Sequence, residues 1–222
     1  MVPVQTVDLA LLFSVNLRRG WRCAILVISA FTAAGFFIPG NAEAFFPWNW
    51  RNELGGGGES HQFITTQAVA AVDQELFSVS RPTKPMKKAL DEIVNANGGV
   101  DDDQFHSKKH FDGENFADGQ EWVLSQRQRV IEAIAAENAA GARAALGAAL
   151  HSIQDFYSHS NWVDTGHNSP SPALGRPGQA LAPVAAESVN TCQDCIPHTI
   201  PLCNDCTSNV LTNLLTSGYY GG

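Results

Sequence analysis

Apolar residues recur at every fourth position after His61, at Ile64, Ala68, Val72 and Leu76, a spacing that places them on one face of an α-helix. The run Arg81-Pro82-Thr83-Lys84-Pro85 ends that pattern, because proline lacks the amide proton and the φ freedom to continue it. A second, shorter helix is predicted from Met86 to about Ala96, with Leu90, Ile93 and Val94 on one face and Gly98-Gly99 as its C-cap. Val100 to Asp118 has no apolar period and is rich in Asp, His and Gly, so it reads as a loop. A third helix is predicted after Asp118, which forms a capping box with Glu121; Trp122, Val123, Val130, Ile131 and Ile134 supply its apolar side. The alanine-rich stretch after Gly141 runs through Leu146, Leu150, Ile153 and Tyr157 to about Val163 and predicts the fourth helix. No strand pattern precedes Thr165, so the fold class is all-α. Thr165 to Pro183 is rich in Ser, Pro and Gly and suits a surface loop, and Val210–Leu215 predicts a short apolar helix or turn.

The N-terminal pattern is different in kind. Arg18, Arg19 and Arg22 precede an apolar run from Cys23 to Ile38, and Asn41-Ala42-Glu43-Ala44 offers a small-x-small cleavage site, the layout of a secretory signal. The run is shorter than the roughly 20 residues that span a bilayer, and Pro39-Gly40 interrupt it. The expected organisation is a signal over 1–44, an aromatic and Gly-rich segment over 45–58 and a helical domain over 59–222, with the product secreted, extracellular or periplasmic. Phe45-Phe46-Pro47-Trp48-Asn49-Trp50 fits an N-terminal plug or a lipid interface. Ser217–Gly222 has no stop-like character, which suggests a chain continuing into further domains.

Charge narrows the function classes. Cleavage after Ala44 lowers Lys+Arg from 14 to 11 and Asp+Glu from 22 to 20, leaving 178 residues with a net charge of −9. That length suits one domain with a full core. The acidic balance disfavours a nucleic-acid platform, which needs a basic stripe against phosphates, but leaves room for a metal-assisted phosphoesterase, since bound cations reverse the local field. Four cysteines, Cys192, Cys195, Cys203 and Cys206, form C-x2-C-x7-C-x2-C. Paired C-x2-C suggests a four-thiolate zinc site, whereas export favours two disulfides in a loop-rich C-terminal region; the spacing leaves all three connectivities open.

The chemistry gathers on the fourth helix. His151, Asp155 and His159 are spaced four and four, so successive side chains turn by about 40° and rise by about 6 Å along a narrow stripe. The two histidines are about 12 Å apart along the axis, so one ion does not reach both, while either shares an ion with Asp155. The stripe therefore points to Asp155 as a carboxylate bridging two ions, or to a plain His–Asp–His hydrogen-bond ladder. One helix supplies too few ligands for a metal. The further candidates are His61, His110 and a carboxylate among Asp101, Asp102 and Asp103, with Asp103 taken as ligand or base. Imidazole and carboxylate are what zinc accepts in open sites.

His151-Ser152-Ile153-Gln154-Asp155-Phe156-Tyr157-Ser158-His159-Ser160-Asn161-Trp162-Val163-Asp164 closely resembles the signature of the Het-C heterokaryon-incompatibility-like proteins and the N-terminal domain family of von Willebrand factor A-domain-containing protein 7. Ser60-His61 with Ile64-Thr65, His110-Phe111-Asp112 and Leu214-Leu215-Thr216-Ser217-Gly218-Tyr219-Tyr220 look like further blocks, spanning about residues 59–222. That family is in turn distantly similar to the zinc-dependent phospholipase C and single-strand nuclease superfamily, which implies a compact multi-helix bundle around a zinc cluster. Position by position, the resemblance implies His61, one of Asp101–Asp103, His110, and His151 with Asp155 as ligands. His159 follows Asp155 by four residues where the superfamily's histidine follows by six, and no second His-x-x-x-Asp pair lies downstream. The resemblance thus implies one or two zinc ions rather than three.

Two functions of different class follow. In one, a zinc pair assists hydrolysis of a phosphodiester such as a phospholipid head group, with Asp103 and Asp155 catalytic and a phospholipid or membrane surface as partner. In the other, the same ions clamp the helices of a non-catalytic adhesion or recognition domain.

Overall fold

The computed structural model describes residues 60–186, 188, 189, 191, 195–197, 204–206 and 211–217. The expected signal over 1–44, the Phe45–Trp50 segment, Cys192 and Cys203 lie outside the described residues, and with them the disulfide expectation for Cys192, Cys195, Cys203 and Cys206. The described chain is helical: α1 (His61–Phe77), α2 (Lys84–Gly98), a 3-10 turn (Gly99–Asp103), α3 (Ser107–His110), α4 (Phe116–Ala135) and α5 (Ala139–Ser158). Two three-residue strands, β1 (Cys195–Pro197) and β2 (Asn204–Cys206), pair with each other, placing Cys195 opposite Cys206 in an antiparallel register.

Local chemistry sets most boundaries. Ser60 Oγ accepts from Phe63 N at 3.1 Å and starts α1, Thr83 caps α2 with Pro85 in its first turn, and Asn138 Oδ1 accepts from Gly141 N at 2.9 Å to start α5; each side chain satisfies an amide that the helix leaves orphaned. Other boundaries differ from expectation. Gly98 and Gly99 keep right-handed φ values of −64° and −70°, so α2 passes into the 3-10 turn instead of stopping. Residues expected to form one long loop thereby contain the turn and α3. Helix α4 starts earlier, behind Asn115, which leaves Asp118 in its first turn rather than at the cap. Helix α5 ends at Ser158 with His159 as its C-cap, and the described part of Val210–Leu215 is irregular apart from a bridge between Leu215 and Val184.

Helix α5 is the hub, packing against α4, α2, α3 and α1. Its approach to α2 is close because position 147 is glycine: a Cβ there would lie 2.4 Å from the Ile93 carbonyl oxygen. One core cluster joins Ile93, Val130, Ile134, Leu146 and Leu150; a second joins Phe111, Phe116, Val123, Phe156, Trp162 and Leu215. Trp162 is buried, tilted against Phe156 and stacked on His167. Asn161 fastens the C-terminal stretch, with Oδ1 accepting from Thr216 N and Nδ2 donating to the Leu211 and Leu214 carbonyls.

Candidate metal centre

Four histidines from three elements, α1, α3 and α5 with its C-cap, converge on one carboxylate. Asp155 is 1% exposed and lies on the buried face of α5. Its Oδ1 faces His61 Nε2 at 3.1 Å and His159 Nε2 at 3.8 Å. Its Oδ2 faces His110 Nδ1 at 2.8 Å and His151 Nε2 at 2.9 Å. His151 and His159 thus address opposite oxygens, the arrangement their 12 Å axial rise calls for. His61 heads α1 behind the Ser60 cap, and the buried face of α1 runs from it through Thr65, Ala68 and Val72.

His110 arrives through a strained turn. Phe111 ends α3 with φ +59° and is fully buried among Phe116 and Phe156. A left-handed conformation is costly for a residue with a Cβ. Here the aromatic core holds it, and the turn delivers His110 to Asp155 on one side and Asp112 to His159 on the other.

The outer nitrogens of three rings are committed to acceptors. His110 Nε2 donates to the Asp103 carbonyl at 3.2 Å, and His159 Nδ1 donates to the His110 carbonyl at 3.0 Å and to Asp112 Oδ1 at 2.8 Å. His61 Nδ1 donates to Gln154 Oε1 at 2.7 Å; that oxygen also accepts from Asn97 Nδ2, while Gln154 Nε2 donates to Thr65 Oγ1. A neutral imidazole has one proton, so each of these rings turns a lone pair toward Asp155. Lone pairs aimed at a buried carboxylate require a cation or additional protons between them. Outer-nitrogen hydrogen bonds of this kind are how metal-ligating histidines are oriented.

The acidity of the cluster follows. Burial pushes His61, His110 and His159 toward neutrality, but the Asp155 carboxylate overcomes it in all three, and with Asp112 raises His159 to about 9. Burial opposes ionisation of Asp155 too, and His151, His159, His61 and His110 together hold it well below the usual carboxylate range.

The loop carboxylate that the structure brings to the cluster is Asp101, not Asp103. Asp101 Oδ1 lies 3.5 Å from His151 Nε2, its Oδ2 is buried without a hydrogen-bond partner, and burial raises its pKa against the pull of His151. Asp103 instead pairs with His106 and Lys109. The reason is rotational: at three residues per turn, residue 103 points about 120° away from residue 101. Two donor sets result, His61–Asp101–His151 and His110–His151–Asp155, each with its ligand atoms within 4.8 Å of one another. The 3.3 Å between His110 Nδ1 and His151 Nε2 matches the edge of a tetrahedron with bonds of about 2.0–2.1 Å. Asp112, Gln154, Asn97 and Thr65 support the site; the first two and Thr65 lay within the blocks that carry the resemblance but had no supporting role assigned, and Asn97 was not singled out from sequence. Gln154 and Thr65 carried a signal, since each lies three or four residues from a histidine on the same helical face, whereas Asn97 carried none.

The family model described as the VWA7 N-terminal domain matches residues 64–222. The chain belongs to the VWA7 N-terminal domain family. Von Willebrand factor A domain-containing protein 7 of Homo sapiens is 32% identical over 213 residues, covering 81% of this chain and 23% of that protein. The Mus musculus protein of the same name is 33% identical over 214 residues with the same coverage. As a VWA7 N-terminal domain, the chain therefore spans about a quarter of the length of these curated relatives. No solved structure matches it.

Proposed function

We propose that this VWA7 N-terminal domain is an exported metal-binding module in which His61, Asp101, His110, His151, Asp155 and His159 hold one or two zinc ions. The observation that carries the reading is the set of committed outer nitrogens: His61, His110 and His159 each donate outward, so that in the neutral form that binds metal each presents a lone pair inward to Asp155. A divalent ion satisfies with one charge centre what otherwise takes several protons. The Het-C-like and distant phospholipase C-like resemblance supports His61, one of Asp101–Asp103, His110, His151 and Asp155 as ligands, and the Arg18–Ala44 leader pattern supports export. Among the described residues no helix is long and apolar enough to cross a membrane.

Burial favours a clamp as the ions' main task. His61, His110, His151 and Asp155 are at most 3% exposed, and the donors come from α1, the 3-10 turn, α3 and α5, so bound ions tie these elements together. The disulfide-bearing C-terminal region belongs to this picture of an exported, cross-braced domain. Hydrolysis of a phosphodiester, such as a phospholipid at a membrane surface, is the second reading, and one observation favours it: Asp101 and His159 keep 13% and 14% side-chain exposure, giving the cluster an edge toward solvent. A bound zinc ion supplies Lewis acidity at such an edge. There Asp101 is placed to hold a proton, while Asp112 fixes the orientation of His159.

Metal analysis of the purified chain tests the common core of both readings: at least one equivalent of zinc is expected, and under about half an equivalent after zinc-replete expression overturns it. Phosphodiester and phospholipid turnover by the zinc-loaded chain that disappears in Asp101→Asn assayed at free zinc high enough to saturate the weakened site selects hydrolysis. Its absence in the zinc-loaded protein selects the clamp.

A further inference from the structure

A cavity of about 420 Å3 adjoins the metal centre without sharing its donors. Two of its lining residues, Val100 and Lys109, are chain neighbours of Asp101 and His110. Ala96 of α2 and Ala145 and Ala148 of α5 give it an apolar wall. Trp122, Gln126 and Arg129 also line it, spaced four and three along α4 so that they share one face.

The polar groups there are unevenly satisfied. Trp122 Nε1 is buried with no hydrogen-bond partner, an arrangement that buried donors rarely adopt without an acceptor arriving from elsewhere. Gln126, 2% exposed, accepts from Arg129 Nη1 at 3.3 Å and donates from Nε2 to Ser125 Oγ at 3.3 Å. Lys109 Nζ lies 5.4 Å from the Trp122 ring centre while also pairing with Asp103, and Lys108 Nζ lies 5.9 Å from the same ring. Cationic side chains thus collect at one cavity of a chain whose net charge is −8.

We infer that this cavity binds a small organic anion, a carboxylate or phosphate head on a flat apolar body. The head lies between Arg129 and Lys109 and accepts from the Trp122 indole N–H; the body lies on the alanine wall. The volume falls in the range of roughly 300–1,000 Å3 typical of small-molecule sites, which combine an apolar lining with a few convergent polar groups. This inference does not depend on the metal reading.

Calorimetric titration of the full chain with 2-naphthoate tests it, with 2-naphthyl phosphate in a parallel arm to distinguish the two head groups and 2-acetylnaphthalene as the neutral control. Saturable one-site binding of at least one anion is expected, about tenfold or more tighter than the neutral control. Arg129→Gln should weaken it about tenfold and Trp122→Phe roughly threefold to tenfold, as expected for lost hydrogen bonds to an ion. Ala148→Leu fills the cavity and should abolish binding. Arg129 is exposed, so its variant folds even where the leucine variant does not. The inference is overturned by the absence of saturable binding of either anion, by equal affinity for the neutral control, or by affinities within about twofold of wild type in every folded variant.

Discussion

Replacing Asp155 by asparagine keeps the shape of the side chain and removes the charge on which four imidazoles converge. In the wild-type chain, free zinc at 100 times its Kd should add about 2.7 kcal/mol to stability. For a domain of this size that is a rise in Tm of roughly 5–11 °C. Asp155 is buried, with one histidine nitrogen 3.1 Å from Oδ1 and two more within 2.9 Å of Oδ2. Removing one partner from a buried charge cluster typically costs about 3–5 kcal/mol, which corresponds to roughly two to four decades in zinc affinity at about 1.4 kcal/mol per decade. At the same free zinc, the asparagine variant then gains less than about 0.5 kcal/mol, a Tm rise under about 2 °C. The assay is thermal unfolding with and without zinc, alongside competition against a chromophoric chelator. Because the readout is the zinc-dependent increment, a lower metal-free Tm in the variant does not disturb it. An undiminished increment in Asp155→Asn would refute the reasoning, since it would place the metal away from this carboxylate.

Asp101→Asn should weaken zinc binding at least tenfold while Asp103→Asn leaves affinity within about twofold, measured by the same competition; the reverse order would restore Asp103 to the site. In the metal-free protein His159 is raised from its ordinary value to about 9, so its stabilising contribution is complete below about pH 6.5 and is lost as pH rises through 9. Zinc competes with protons for the same nitrogens, so zinc affinity should climb over that interval, and denaturant titrations from pH 6 to 10 with and without zinc should show the opposed trends. Gly147→Ala drives a methyl into the Ile93 carbonyl and should cost about 1–3 kcal/mol by overpacking, read as a fall in Tm with zinc stoichiometry unchanged; a neutral substitution would mean that α2 and α5 separate freely.

Much of this protein was legible from residue order. The four principal helices appear in the periods of Ile64–Leu76, Leu90–Val94, Trp122–Ile134 and Leu146–Tyr157, because the 3.6-residue repeat is a local property that burial of one face rewards. The His151-Asp155-His159 stripe and the involvement of His61 and His110 were equally visible, as spacing and as a resemblance. Tertiary structure decided what surrounds them. Whether Gly98-Gly99 stops a helix or feeds a 3-10 turn is nearly neutral locally, yet it rotates Asp101 into the cluster and Asp103 out of it. The left-handed Phe111 turn is unfavourable in isolation and exists because Phe116 and Phe156 bury its ring. Asn97, Gln154 and Thr65 become a support for His61 only when α1, α2 and α5 meet. Sequence alone determined which groups were available for metal chemistry. The packing of distant elements, whose energies no local pattern contains, determined which of them face one another.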